Sequence, residues 1–376
     1  MKDYFAKNKP VRFIFPIDGD CLNSADGKIC GNSLVFTAIV EAPEDAEVFV
    51  NGRKAERSGD TFTAEIALEN YRTMLVCENR KTGDCDSVTV FRLPAVEKKF
   101  RVSSDDNIRF LKNLTDNADK YSSLFDDPYL AMYKRVHDET GACIHLNLFY
   151  ESGDGSLWEN EEPFNLSMMT DKYKAEWEKN SDWLRLSFHS RREHPMWPYK
   201  NAAYETIYDE AKAVNDEVVR FAGEKTLAKT TTIHFGATNE NAMRAVRNLG
   251  YKNFAGYFEF DSEGNTLVAY HYPKDLVSHV GGRDFWHDNE LDVVYVRIDR
   301  VMNLAKTVEE NIAKIDEVLA VPERAGFVEL MIHEQYFYKK YGGYIEKFGE
   351  IVLECCKHLC ERGYTSTFIE DAVKPY

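Results

Sequence analysis

Hydrophobic and polar positions alternate with a period of two up to about residue 95. The runs are 11–15, 34–40, 47–50, 61–66, 73–77 and 88–93, rich in β-branched and aromatic residues. Period two is the mark of a strand with one face buried. Asn51 and Gly52 separate two of the runs, and an Asn-Gly pair between alternating runs signals a tight hairpin. Short strands at this spacing predict an N-terminal β-sandwich of immunoglobulin-like type over residues 1–95. Leu93, Pro94 and Ala95, followed by Glu97, Lys98 and Lys99, read as a linker.

From residue 100 the rhythm changes. Segments with helical periodicity are predicted at 108–124, 129–139, 170–179, 202–221, 240–249, 307–319 and 344–362. Apolar strand-like runs lie between them, at 143–150, 183–189, 230–234, 254–258, 291–298, 327–333 and 365–369. With the run before Asp105 this makes seven or eight βα units, which implies parallel strands joined by right-handed crossovers. The expected architecture for 96–376 is a distorted (β/α)7–8 barrel, with a doubly wound sheet as the other arrangement of the same units. A barrel collects its active site at the C-terminal ends of its strands. Four runs end in groups able to bind a metal or move a proton: Asp105 with Asp106, His189, His234 and His333.

Composition narrows the function. Of 376 residues, 44% are hydrophobic and 29% charged, enough for a sizeable core. A net charge of -16 opposes binding to phosphate backbones and to anionic membrane surfaces. Neutral partners such as sugars are not constrained, and a homo-oligomer stays open. Residues 1–10 lack the apolar stretch of a signal peptide and no run is long enough to span a bilayer, so a cytoplasmic location is expected. The eight cysteines then read as reduced thiols. Cys355, Cys356 and Cys360 have only His358 beside them, which lacks a second pair of zinc ligands.

Each strand-end group has a bland and a chemical reading. Asp105 and Asp106 fit a helix N-cap. They also fit a division of labour in which one carboxylate binds a divalent metal and the other accepts a proton. His189 is followed five residues later by His194, and imidazole is the commonest ligand of zinc-like metals. His234 and His333 read equally well as packed, hydrogen-bonded rings or as ligand and proton donor. Trp197 and Tyr199, the 285–287 stretch containing Trp286, and 336–338 supply aromatic faces suited to sugar rings. Arg191, Arg192 and Arg283 suit an anionic substituent, although a solvated surface is the commoner fate of such arginines.

Taken in order, Ser103-Ser104-Asp105-Asp106, His189-Ser190 with a second histidine nearby, and Met331-Ile332-His333 resemble the motifs of the NodB-homology polysaccharide deacetylases, carbohydrate esterase family 4. The resemblance spans roughly residues 100–370. It implies a divalent metal held by one Asp and two His, most simply Zn, with Co, Ni or Mn as alternatives. It implies Asp105 as general base, Asp106 and His189 as metal ligands and His333 as general acid. Met331 would line the acetyl pocket. Beside the resemblance, Phe235 and the aromatic rings of Trp197 and Trp286 are the expected substrate contacts. Two departures mark a divergent branch. The family's metal histidines are usually four apart, not five. Its Arg-x-Pro-Tyr-Gly motif is met only by Thr232-Ile233-His234-Phe235-Gly236, without the arginine. His194 and His234 are therefore alternative third ligands. The function expected is metal-dependent removal of acetyl groups from N-acetylated sugars or polysaccharide. The competing readings are a glycoside hydrolase pairing Asp105 with Glu334, and a non-catalytic carbohydrate-binding protein on a decayed barrel.

Overall fold

The computed structural model describes residues 3–94, 96–153, 155 and 160–373, so Ala95 of the predicted linker lies outside the described residues. The chain divides into two compact units. One comprises Met1–Glu97, Phe285–Val294 and Val373–Tyr376, the other Lys98–Asp284 and Tyr295–Ala372.

The N-terminal unit holds two five-stranded sheets. In one, Arg12–Phe15, Ser33–Glu41, Thr61–Leu68 and Glu56–Ser58 follow in that order, and Gly27–Cys30 also pairs with Ser33–Glu41. In the other the order is Cys21–Leu22, Cys85–Arg92, Arg72–Asn79, Val48–Val50 and Arg53–Lys54. Inward residues of both, among them Phe36, Val40, Phe62, Leu75 and Val90, make one apolar core. Asn51 and Gly52 both have positive φ, 46° and 79°, and form the predicted tight turn, although it joins Val48–Val50 to the short strand Arg53–Lys54 and not to the run at 61–66.

The C-terminal unit is built on a parallel sheet. Its order is Leu184–Ser190, Ile144–Phe149, Lys99–Asn107, Phe327–His333 and Arg300–Val301, with Thr365–Ser366 paired to the start of Lys99–Asn107. Ile144–Phe149 is buried throughout, as expected for a parallel sheet covered on both faces. Helices follow the strands, several with side-chain caps. Asp127 accepts from the backbone N–H of Tyr129 and Leu130 at the start of Pro128–Thr140, and Thr307 caps Val308–Leu319.

The closed barrel expected from the sequence is not formed among the described residues. Thr230–Thr231 pairs with Asn253–Gly256 in a separate sheet. No ladder joins Thr230–Thr231 to Leu184–Ser190, and the bridge between Leu186 and Leu227 stands alone. The cause is local. The strand is only two residues long, and the Thr231 hydroxyl, not a backbone amide, donates to Phe188 O. No helix among the described residues is long and apolar enough to cross a membrane.

Candidate metal centre

The strand Lys99–Asn107 runs in parallel register with Phe327–His333, and Asp105 is level with His333. On its other side the register slips: Ser104 pairs with Leu146, yet Asn107 pairs with Leu148. Three steps against two make a β-bulge, which re-aims side chains at a strand end. Asp106 sits in the bulge at φ 63°, a left-handed conformation that Asp adopts more readily than most residues. The bulge lets two successive carboxylates face one cavity. Neither caps the helix Arg109–Asp116. That role belongs to Glu334, which accepts from the N–H of Ile108 (2.7 Å), Arg109 (3.0 Å) and Phe110 (2.7 Å). With the Tyr338 hydroxyl also on it at 2.8 Å, Glu334 is fully engaged and is not a free partner for Asp105.

The cavity measures about 290 Å³ and is lined by both aspartates, His189, His234, His333, Met331 and Phe235 among others. Three buried atoms meet in it. Asp106 Oδ1 lies 3.1 Å from His189 Nε2 and 3.5 Å from His234 Nδ1, and the two ring nitrogens are 3.0 Å apart. Among the described residues this is the group of acidic, histidine and cysteine side chains able to hold an ion. The outer contacts set the rings. His189 Nδ1 is 2.5 Å from Thr232 O, and His234 Nε2 is 3.0 Å from Glu193 O. Each ring thus donates outward to a carbonyl and turns its other nitrogen inward, the arrangement typical of ligating histidines. Gln335 Nε2 donates to Asp106 Oδ2 at 2.8 Å and leaves Oδ1 to the triangle. Zinc–ligand distances of about 2.0–2.2 Å at tetrahedral angles place ligand atoms about 3.3–3.6 Å apart, so the donor set fits a zinc-like ion with slight expansion.

Without a metal the triangle needs a proton. Burial opposes ionisation of Asp106, but contact with His189 and the nearby His333 and His234 holds its carboxyl well below the usual carboxylate range. Burial would lower His189, yet Asp105 and Asp106 raise it to about 9. Burial and then His189 push His234 down to about 4. Burial pushes Asp105 up despite His189 and His333, which moves it toward the range of a working base.

Asp105 is steadied by a chain of buried groups absent from the sequence reading. Asn147 Nδ2 donates to Asp105 Oδ1 (2.6 Å), and Ser187 Oγ donates to Asn147 Oδ1 (2.6 Å). His145 Nε2 is 2.9 Å from Ser187 Oγ, and its Nδ1 is 2.5 Å from Arg101 Nη1. Arg101 in turn grips Glu329 through two contacts of 2.8 and 2.6 Å. Arginine only donates, so the donors all run one way, from Arg101 to Asp105. The signal was present: His145 and Asn147 sit two apart in an otherwise apolar run, on one face of a strand. His333 Nδ1 is held by Asn303 Oδ1 at 2.8 Å.

The remaining predicted residues separate. Met331 and Phe235 line the cavity. Gly236, at φ 52°, lets the chain turn there, because a Cβ would lie 2.3 Å from Val268 Cγ1. Trp197 is exposed, edge-on to Phe235 at 6.3 Å. His194 is exposed and outside the triangle. Its neighbour Glu193 contributes a backbone carbonyl to His234 instead. Trp286 is a correction to the expected substrate site. It is buried in the N-terminal unit, with its indole N–H on Asp18 O at 2.9 Å.

No family model and no curated protein matches the chain. Solved structures similar to it include a family 4 carbohydrate esterase from Streptomyces lividans in complex with acetate, at 10% identity over 72% of this chain and 93% of that one, TM-score 0.36. A protein of Mycobacterium smegmatis provisionally described as a polysaccharide deacetylase aligns at 11% identity over 74% and 95%, TM-score 0.37. A Bacteroides ovatus GH5 xyloglucanase aligns at 9% identity over 93% and 100%, TM-score 0.26. At these values the alignments carry no residue roles to this chain.

Proposed function

We propose that the chain is a metal-dependent carbohydrate deacetylase, hydrolysing the acetamide of an N-acetylated sugar. The observation that carries this reading is the buried triangle of Asp106 Oδ1, His189 Nε2 and His234 Nδ1 in one cavity with Asp105 and His333. In this reading Asp106, His189 and His234 hold a divalent ion, zinc first among the candidates. Such an ion, when bound, polarises a carbonyl and acidifies water. Asp105, raised by burial and fixed by Asn147, takes the proton of the attacking water. His333, anchored through Nδ1 on Asn303, gives a proton to the departing amine. Phe235 and Met331 flank the acetyl group, and Trp197 offers a sugar-facing ring at the rim. The immunoglobulin-like topology of the N-terminal sheets, and its service to carbohydrate binding, belong to the same proposal.

The test is metal content after equilibration with zinc and gel filtration. Asp106→Ala, His189→Ala and His234→Ala are each expected to lose more than half of the bound metal. His194→Ala and Asp105→Asn keep it, and Asp105→Asn loses release of acetate from N-acetylated oligosaccharides. Full metal in both Asp106→Ala and His189→Ala ends the assignment.

A further inference from the structure

Tyr257 lines the metal-centre cavity and also a second cavity of about 380 Å³. The second one is rich in cations: Arg297, Arg300, Lys314 and Arg324 lie in its wall. Most are already spent. Arg297 is buried against Glu259 at 2.5 Å and Gly281 O, with Asp299 at 3.6 Å. Arg324 leans on Asp299 at 3.4 Å, and Lys314 pairs with Glu317 at 2.8 Å on an exposed helix face.

Arg300 differs. Its Nε donates to Asn311 Oδ1 at 2.7 Å, and Asn311, itself buried, is anchored by its Nδ2 on Thr307 O at 2.9 Å. Among the described residues no carboxylate lies within ion-pair distance of Arg300. Partial burial lowers its pKa, opposed by its electrostatic interactions with Cys355, Glu310 and Glu317. A partly buried guanidinium with no counter-charge in direct contact is costly. Pinning through Nε leaves the two terminal nitrogens as a preset fork, the geometry that grips two coplanar anionic oxygens. The position is also close to the reaction. Arg300 pairs with Leu330, and the next residue, Val301, pairs with Met331 of the metal-centre cavity.

We propose that this second cavity is an anion-binding subsite in which Arg300 receives a carboxylate or phosphoryl group. If the deacetylase reading holds, the anion is a substituent of the substrate, which is then an acidic or phosphorylated sugar rather than a neutral one. Anion binding itself does not depend on that reading. The chain's net charge of -16 repels anions at a distance, so capture must come from this local geometry.

Calorimetric titration of the full, metal-free chain at constant ionic strength tests it, with inorganic phosphate, glucuronate and glucose as probes. Saturable binding is expected for phosphate or glucuronate and not for glucose. Glucuronate alone assigns a sugar carboxylate, and phosphate alone a phosphoryl group. Arg300→Gln should weaken the binding about tenfold or more, the loss expected for a charge-assisted pair. Leu304→Trp, placed at a rim position that is 73% exposed and lines the same cavity, is the second variant, safe for folding, and should also weaken it. His189→Ala should leave the binding intact, which separates this subsite from the metal centre. Absence of saturable anion binding, equal binding of glucose, or unchanged affinity in both Arg300→Gln and Leu304→Trp overturns the proposal.

Discussion

Two strands of equal length show how differently the two units use their interiors. Ser33–Glu41 in the N-terminal unit alternates, with Leu34, Phe36, Ala38 and Val40 buried and Thr37 exposed. Lys99–Asn107 in the C-terminal unit is buried at every position after the first, although it carries Arg101, Ser103, Ser104, Asp105, Asp106 and Asn107. The first obeys the pattern that makes a strand stable. The second breaks it, and each buried polar group then requires a partner. Where a strand accepts that burden, the partners define a site: Glu329 and His145 for Arg101, Asn147 for Asp105, Gln335 and two imidazoles for Asp106.

The largest effect is expected where that burden is heaviest. Arg101→Met leaves Glu329 buried without its bidentate partner and should cost about 3–5 kcal/mol. The loss should appear in the unfolding transition of the C-terminal unit alone, followed by calorimetry, since two units need not melt as one. A loss below about 1 kcal/mol would mean that the polar interior is not held as the contacts imply.

Much of this contrast was legible in the sequence, because apolar runs ending in Asp or His stand out from alternating ones. Asp105, Asp106, His189, His234 and His333 stood out that way and line one cavity, and Asn51-Gly52 marked its turn. Three things were not legible. The bulge at Asp106 is a matter of register between neighbouring strands, which no local pattern records. Which of His194 and His234 could join Asp106 and His189 depends on where the loop carries each ring: His234 lies in the buried group and His194 is exposed. Barrel closure fails because the run 230–234 reads as five strand residues but pairs over only two. Trp286 misled for the opposite reason: its aromatic stretch looks like a rim, yet its indole is satisfied inside the other unit.

The histidine pair gives the next effect. His189, raised from an ordinary 6.5 to about 9, stabilises the folded chain fully below about pH 6.5. That contribution is lost as pH rises through about 9, because the folded state must then surrender a proton the unfolded state has already released. His234, lowered to about 4, acts in reverse. Its contribution is full above about 6.5 and lost as pH falls toward 4. As far as these two rings decide it, the metal-free protein is most stable near pH 6.5. The alkaline loss should be on the order of 2 kcal/mol at pH 9, read from urea unfolding of the C-terminal unit. Excess zinc should abolish that loss, since ligation requires neutral His189 and favours release of its proton. Equal stability of metal-free protein at pH 6.5 and 9 would show that His189 holds no proton there.

The smallest effect compares one chemical deletion in both kinds of strand. Ser187→Ala removes a buried hydroxyl that stands between His145 Nε2 and Asn147 Oδ1. Both partners stay buried, so each loses a hydrogen bond that water cannot replace, and the cost should be about 1–3 kcal/mol. Thr37→Val removes an exposed hydroxyl from Ser33–Glu41 while keeping the β-branched shape, and the change should stay within about 0.5 kcal/mol. The difference isolates the neighbours, since the deleted group is the same. Ser187→Ala should also loosen Asn147 on Asp105 while leaving metal content unchanged, because the bonds of Ser187 and Asn147 run to His145, to each other and to Asp105, not to Asp106, His189 or His234. Equal costs for the two deletions would mean that the donor chain from Arg101 to Asp105 adds nothing that a solvent-facing strand lacks.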